Sequence, residues 1–140
     1  MRYLVLLLLL SCKTSATVTI GVTATADYER PTKAAMRLWN SFVGCDFFVP
    51  GKDVQIKSSD GTGVMLPEHA AATFQTPRGW EIHVSYPGDL HDQACIIVHE
   101  LGHVLGLQDG APFGAMSYEC PDFIRIRDDD VAIVKARHCK

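Results

Sequence analysis

The 140-residue sequence lacks several features that mark common classes of protein. It has no internal repeat, low-complexity tract or interdomain linker, so we expect one domain with one modest core. Its basic residues are scattered and its formal net charge is -3, which excludes a basic patch for nucleic acid. Its longest apolar run, at residues 4–10, is too short to span a bilayer as a helix.

The first 16 residues have the composition of a processing segment, with Arg2 placed before the apolar run. Residues 9–12, Leu-Leu-Ser-Cys, resemble a bacterial lipobox, which implies a lipid on Cys12 and a membrane anchor. The alternative is ordinary secretion with cleavage after Ala16, because residues 14–16 are small. We expect residues 1–16 to be a signal peptide of one of these two kinds, and residues 17–140 to be an exported domain.

Four cysteines remain when Cys12 is set aside, and an even number is what an oxidising compartment favours. Four cysteines allow three pairings, and the sequence alone does not choose among them. Pairing Cys120 with Cys139 is attractive because it would tie the middle of the C-terminal region to the last predicted helix. Cys45 would then pair with Cys95. Four buried free thiols are the alternative.

Hydrophobic periodicity predicts strands and helices in alternation. Apolar residues alternate as in strands at residues 17–23 and 80–86, and recur as in a helix at residues 30–43, which Gly44 can end. Further elements are predicted as strands at 45–49 and 54–58, an edge strand at 70–75, a long helix at about 90–105 capped by Asp89, and a last helix after three aspartates at 128–130. This order predicts an α+β fold: a twisted mixed sheet with helices on one face.

Residues 99–109 read HELGHVLGLQD and carry the main chemical signal of the sequence. On a helix, His99 and His103 lie four residues apart, so both imidazoles project from one face and can bind one metal ion. Gly106 can end that helix and turn the chain, which would bring Asp109 back as a third ligand. Two imidazoles, one carboxylate and a free fourth position are typical of catalytic zinc, with Glu100 beside it to hold a water molecule.

The spacing of this motif is specific. In a chain of this composition, the pattern HExxHxxGxx followed by His or Asp arises by accident on the order of once in ten thousand chains. The alternative is a helix whose histidines only pack or face water. That alternative places two histidines and a glutamate on an otherwise apolar helix, which makes a poor structural core. The sequence therefore predicts zinc, Zn²⁺, as the cofactor.

The same residues resemble the extended zinc motif of metzincin metallopeptidases, and the aspartate at 109 is similar to the snapalysin branch of small bacterial metzincins. This carboxylate, where histidine is usual, should make bound water somewhat less acidic than three imidazoles would. The resemblance implies that Met116 lies in a turn beneath the metal and that Tyr118 stabilises the oxyanion. It also implies a metzincin-like zincin fold, with a short C-terminal helical subdomain after Gly106.

We therefore expect a single metallopeptidase domain, a zinc-dependent endopeptidase with Glu100 as general base. One alternative is a catalytically idle metzincin-like module that keeps zinc and acts by docking to a partner. Another is a zinc-stabilised structural lipoprotein. Glu100 favours the enzyme, because a structural site does not need it. Few residues precede the first predicted strand, so we expect no inhibitory propeptide and no zymogen stage.

The expected partner is an extracytoplasmic protein or peptide substrate, bound as an added strand at the edge near residues 70–75. We expect a monomer that binds no nucleic acid and that contacts a membrane only through a lipid on Cys12. The other histidines are expected at the surface or in hydrogen bonds, because none lies at ligand spacing: His69, His83, His91 and His138. The three aspartates at 128–130 could indicate calcium, but helix capping and the helix dipole explain them more simply.

Overall fold

The computed structural model describes residues 14–59, 70–85, 88–110, 114–117 and 120–140. Within these residues the chain is α+β, as predicted, with a five-stranded mixed sheet and three α-helices. The elements are β1 (Ile20–Ala24), α1 (Glu29–Val43), β2 (Phe48–Pro50), β3 (Val54–Ser58), β4 (Ala71–Thr76), β5 (Gly79–Val84), α2 (Leu90–Val104) and α3 (Asp128–His138), with a short 3-10 helix at Ala26–Tyr28. Predictions for Cys12, His69 and Tyr118 lie outside the described residues.

The sheet has the strand order β2-β1-β3-β5-β4. The neighbouring strands β2, β1, β3 and β5 are parallel to one another. β4 lies at the end of the sheet, as the edge-strand prediction requires, and it runs antiparallel to β5. Two strands, β1 and β2, begin three residues later than predicted. Thr17 donates its N–H to the carbonyl of His138 at 2.8 Å, so this segment pairs with the C-terminal end of the chain before β1 begins. The chain at Cys45 is still turning out of α1, since Phe47 donates to the Cys45 carbonyl at 3.1 Å.

One face of the sheet is apolar and carries the core. Alternating residues of β1, β3 and β5 are buried there, and α1 and α2 pack over the core that they form: Val22, Val54, Ile56, Ile82 and Val84. The other face is polar. There Glu81 accepts from Lys57 at 2.9 Å and lies 3.0 Å from the Nε2 of His83, and both contacts lower the pKa of Glu81. His83 is therefore in a hydrogen bond, as predicted.

The residues at the helix ends explain where two of the helices begin or end. Gly44, at φ 86°, ends α1 in the left-handed conformation that glycine adopts without a Cβ penalty. Asp89 caps α2 as predicted, because its carboxylate accepts the N–H of Asp92 at 2.9 Å. The residue that caps α3 is Arg127, so the predicted aspartate cap is wrong. All three aspartates instead lie inside the first turn, where they favour the helix dipole.

Two disulfides join Cys45 to Cys139 and Cys95 to Cys120. The favoured pairing of Cys120 with Cys139 and of Cys45 with Cys95 is therefore wrong. The physical reason for the observed pairing is the position of α3, which packs against α1 and so brings its C-terminal end close to Cys45, two residues after α1. Both bonds are compatible with an extracellular protein. In the described residues no helix combines the length and apolar character that crossing a membrane requires.

Loss of the Cys45–Cys139 bond should lower the free energy of unfolding by about 2–4 kcal/mol, because the bond closes a loop with a sequence separation of 94. Urea unfolding of the double variant Cys45→Ala/Cys139→Ala measures this change. The matched variant Cys95→Ala/Cys120→Ala opens a loop with a separation of only 25 and should lose less. Equal or reversed losses in the two variants would contradict the loop-closure explanation.

Candidate functional site

The end of α2 turns the chain back toward the helix face that carries its two histidines. Gly106 has φ 82°, and its N–H donates to the His103 carbonyl at 2.9 Å. Leu107 donates to the Gly102 carbonyl at 3.0 Å, which completes a Schellman motif. Glycine suits this position because a side chain there would be strained. Gly106 therefore has the role predicted for it.

The turn brings Asp109 to the two imidazoles. Its Oδ1 lies 3.1 Å from the Nε2 of His99 and 3.3 Å from the Nε2 of His103. The two Nε2 atoms are themselves 3.2 Å apart. His99 and His103 are half-buried, while Asp109 lies at the exposed rim. The three predicted metal-ligating residues thus present one atom each to a common point.

Backbone carbonyls determine which ring nitrogen of each imidazole faces Asp109. The Nδ1 of His99 lies 3.0 Å from the carbonyl of Ala115, and the Nδ1 of His103 lies 3.0 Å from the carbonyl of Leu107. A carbonyl only accepts, so each Nδ1 must donate, and the neutral ring then carries a lone pair on Nε2. When both rings are neutral, two imidazole lone pairs and a carboxylate oxygen therefore face one another.

This donor set fits a small divalent cation. Without a positive charge, three electron pairs at such separations repel, and a single proton can bridge only one pair of atoms. A four-coordinate cation with bonds of about 2.0–2.1 Å has ligand atoms about 3.3–3.4 Å apart. The observed separations of 3.1, 3.2 and 3.3 Å are close to that value. Nitrogen and carboxylate ligands at this spacing suit Zn²⁺, and second hydrogen bonds from each imidazole to the backbone are typical of such sites.

The turn at residues 114–117 packs against α2 and so supports the histidines that this helix carries. Met116 is 3% exposed, and its sulfur packs against Gly102 of α2 so closely that a Cβ at 102 would lie 2.2 Å from it. Its carbonyl accepts the N–H of Gly110 at 3.0 Å, next to Asp109. The preceding carbonyl is the one that orients His99. Met116 is thus a buried support under the histidine helix.

Glu100 lies beside the histidines and is 6% exposed. Its Oε2 accepts a short hydrogen bond from the hydroxyl of Thr73, on β4. Both residues line the cleft described below, so the carboxylate is shielded from bulk water but lies at the same cleft as His99, His103 and Asp109. Sequence reasoning missed Thr73, since the only signal was its place in the predicted edge strand.

An open cleft of 640 Å³ runs past this group, which is within the range of ligand-binding pockets. One wall is β4 and the other is α2, with Ser117 and the Cys95–Cys120 disulfide completing it. The cleft is lined by Ala70, residues 71–73 of β4, Trp80, Cys95, Ile96, His99, Glu100, His103, Asp109, Ser117 and Cys120. The predicted edge strand therefore lies at the cleft, and its role in binding a substrate stays a prediction.

A second group of side chains of types that can bind a metal carries no comparable chemistry: His91, Asp92 and Cys120. The sulfur of Cys120 is bonded to Cys95, so it is not available as a thiolate. The Nε2 of His91 lies 3.0 Å from the carbonyl of Pro121. His91 is thus in a hydrogen bond, as predicted for the histidines outside the motif.

The structure brings together His99, Glu100 and His103 on α2 with Asp109 beyond it, and it places Gly106 and Met116 as structural supports. Tyr118 lies outside the described residues, so its predicted role at the oxyanion stays a prediction. Comparison of the chain with models of known protein families and with curated proteins finds no match.

Proposed function

We propose that the protein is a zinc-dependent endopeptidase that acts outside the cytoplasm. The observation that carries the proposal is the meeting of two imidazole Nε2 atoms and a carboxylate oxygen at 3.1–3.3 Å on the wall of an open cleft. A buried structural metal site would be closed by a fourth protein ligand and would not face such a cleft. In the described residues no fourth His, Cys, Asp or Glu joins this group.

We further propose that the chain is a small metzincin of the snapalysin-like kind. The proposal is supported by the motif of residues 99–109, by the turn at Met116 packed under α2, and by the mixed sheet with the motif helix beside its edge strand. Asp109 takes the place at which the family usually has histidine. Its added negative charge should leave a bound water somewhat less acidic than three imidazoles would.

The chemistry follows from the residues around the cleft. Zinc held by His99, His103 and Asp109 would polarise a peptide carbonyl and acidify a water molecule. Glu100 accepts the proton of the attacking water and delivers it to the departing amine, so that one carboxylate serves first as base and then as acid. Its burial beside the cleft keeps the transferred proton away from bulk solvent.

The edge strand β4 is the proposed binding surface for the substrate backbone. Ala70 accepts the N–H of Ser85 at 2.8 Å, and hydrogen bonding alternates along an antiparallel pair, so residues 71 and 73 direct their backbone groups away from β5. In the described residues no other strand pairs with that side of β4. A peptide laid there as an added strand would pass beside the histidines, which line the same cleft.

The proposed location is outside the cytoplasm, either secreted or held to a membrane by a lipid on Cys12. The two disulfides support export, because such bonds persist in oxidising compartments. The substrate would accordingly be an extracytoplasmic protein or peptide, and we propose that the enzyme acts on it as a monomer.

The proposal is tested with the purified, oxidised protein and a quenched fluorescent peptide library. We expect one zinc per chain by native mass spectrometry, and cleavage that a chelator abolishes and that one equivalent of zinc restores. Folded protein that contains no zinc after equilibration with it, or cleavage unaffected by chelator, would remove the proposal. Zinc bound at one equivalent without cleavage of any library peptide would favour the idle docking module instead.

A further inference from the structure

We propose that Thr73 is a positioning residue for the general base, and that it links the edge strand that receives the substrate to the carboxylate of Glu100. This inference rests on the proposed function, but the contact that carries it is a property of the fold alone. It concerns a residue on β4, 27 positions before Glu100 in the chain. The two residues meet only because α2 packs beside the edge of the sheet.

The hydroxyl of Thr73 has two acceptors within reach, both on Glu100. They are the carboxylate Oε2, at a short distance, and the backbone carbonyl at 3.3 Å. A hydroxyl carries one proton, and the carboxylate is both nearer and charged, so the proton goes to Oε2. This bond selects one rotamer of Glu100 and leaves its second oxygen for the water molecule that the carboxylate must bind.

Holding the rotamer matters because the side chain has to act on a water at a fixed place. A glutamate has three rotatable bonds, and proton transfer requires its oxygen within about 2.6–3.2 Å of the donor. Supporting hydrogen bonds of this kind keep a catalytic side chain within about 0.5 Å of its productive position. Glu100 is 6% exposed, and Thr73 supplies a directed polar contact that packing alone does not.

Thr73 also presents its own backbone to the cleft. The alternation established by the bond from Ser85 to Ala70 directs the N–H and carbonyl of Thr73 away from β5, on the side where a substrate strand would add. One residue therefore contacts the general base through its side chain and faces the substrate through its main chain. Binding of a peptide at this edge would fix Thr73 and, through it, the carboxylate.

The test uses the zinc-loaded protein and two variants of Thr73. Thr73→Val keeps the shape of the side chain and removes the hydroxyl, and Thr73→Ser keeps the hydroxyl on a smaller side chain. We expect Thr73→Val to lower kcat about tenfold to a hundredfold, with KM and zinc affinity changed less than about threefold. Thr73→Ser should recover kcat to within about threefold of the original protein, which a purely structural role would not predict.

Thr23→Val is the matched control, because it also removes one threonine hydroxyl from a strand of the same sheet. Thr23 is exposed on β1, which β3 and β5 separate from β4, and it does not line the cleft, so kcat should not change. Thermal melting of all three variants shows whether any loss of kcat reflects unfolding. A Thr73→Val variant with the original kcat, or one in which only KM rises, would overturn the proposal.

A second measurement does not depend on activity. In the metal-free protein, the hydroxyl proton of Thr73 should exchange slowly with water in NMR spectra, and it should exchange fast in Glu100→Ala. If the original protein cleaves no peptide but this proton is protected, the proposed function fails while the contact stands. If the proton exchanges fast in the original protein, the positioning role is overturned whatever the activity.

Discussion

Replacing Glu100 by glutamine is expected to reduce peptide hydrolysis about a thousandfold while zinc binding stays within about threefold of the original affinity. Glutamine keeps the size of the side chain and can still accept the hydrogen bond from Thr73, but its amide cannot take a proton from water. General acid–base groups contribute about 10²–10⁴ in rate, and Glu100 is proposed to serve in both steps. Rates and zinc affinities measured on the same preparations separate loss of proton transfer from loss of the metal.

Glu81→Gln is the control for this prediction. Glu81 is also a glutamate that accepts hydrogen bonds, from Lys57 and His83, but it lies on the polar face of the sheet, away from the cleft. Its variant should keep the original rate. A Glu100→Gln protein that retains a tenth or more of the activity would show that another group accepts the proton.

Replacing Asp109 by alanine is expected to weaken zinc binding more than a hundredfold. Loss of a group that only orients a ligand typically costs 10–100-fold in metal affinity, and Asp109 presents its oxygen directly to the two Nε2 atoms at 3.1 and 3.3 Å. The two histidines alone leave a two-coordinate site, which falls short of the three protein ligands usual in catalytic zinc centres. Competition with a chelating dye measures the affinity, and activity should fall in parallel at limiting zinc.

Asp122→Ala serves as the comparison, because Asp122 is an exposed aspartate on the segment that follows the disulfide at Cys120. It should bind zinc as tightly as the original chain. Should Asp109→Ala bind zinc with unchanged affinity, the assignment of the third ligand is wrong. The two imidazoles would then be completed by a different group.

Local patterns in the sequence were sufficient for most of the secondary structure. The 3.6-residue repeat in α1 and α2 predicted both helices to within a residue, because one face of each packs on the core. The helix ends were predictable from residues that satisfy or accommodate the backbone there: Gly44, Asp89 and Gly106. The meeting of His99, His103 and Asp109 was predictable for the same reason: helix geometry and one turn bring them together.

Contacts between distant parts of the chain were not predictable in the same way. The cysteine pairing depends on α3 packing against α1, and no local pattern records that packing. The bond from Thr73 to Glu100 depends on where β4 meets α2, and the hydrogen bond from His99 depends on the turn at Ala115. Each joins segments whose separation in sequence leaves their relative position open. The aspartate cap of α3 failed for a local reason, since the helix begins at Asp128, the first of the three aspartates that were expected to precede it.

The two carbonyls that orient the imidazoles have a consequence for protein engineering. They belong to Leu107 and Ala115, both beyond the end of α2, so a helix grafted into another scaffold would carry the right ligand spacing with freely rotating rings. A designer who transplants this centre must therefore include the reversal at Gly106 and the loop at Met116 with the helix. The helix sets the spacing of the two imidazoles, and the chain that follows the helix sets the orientation of their rings.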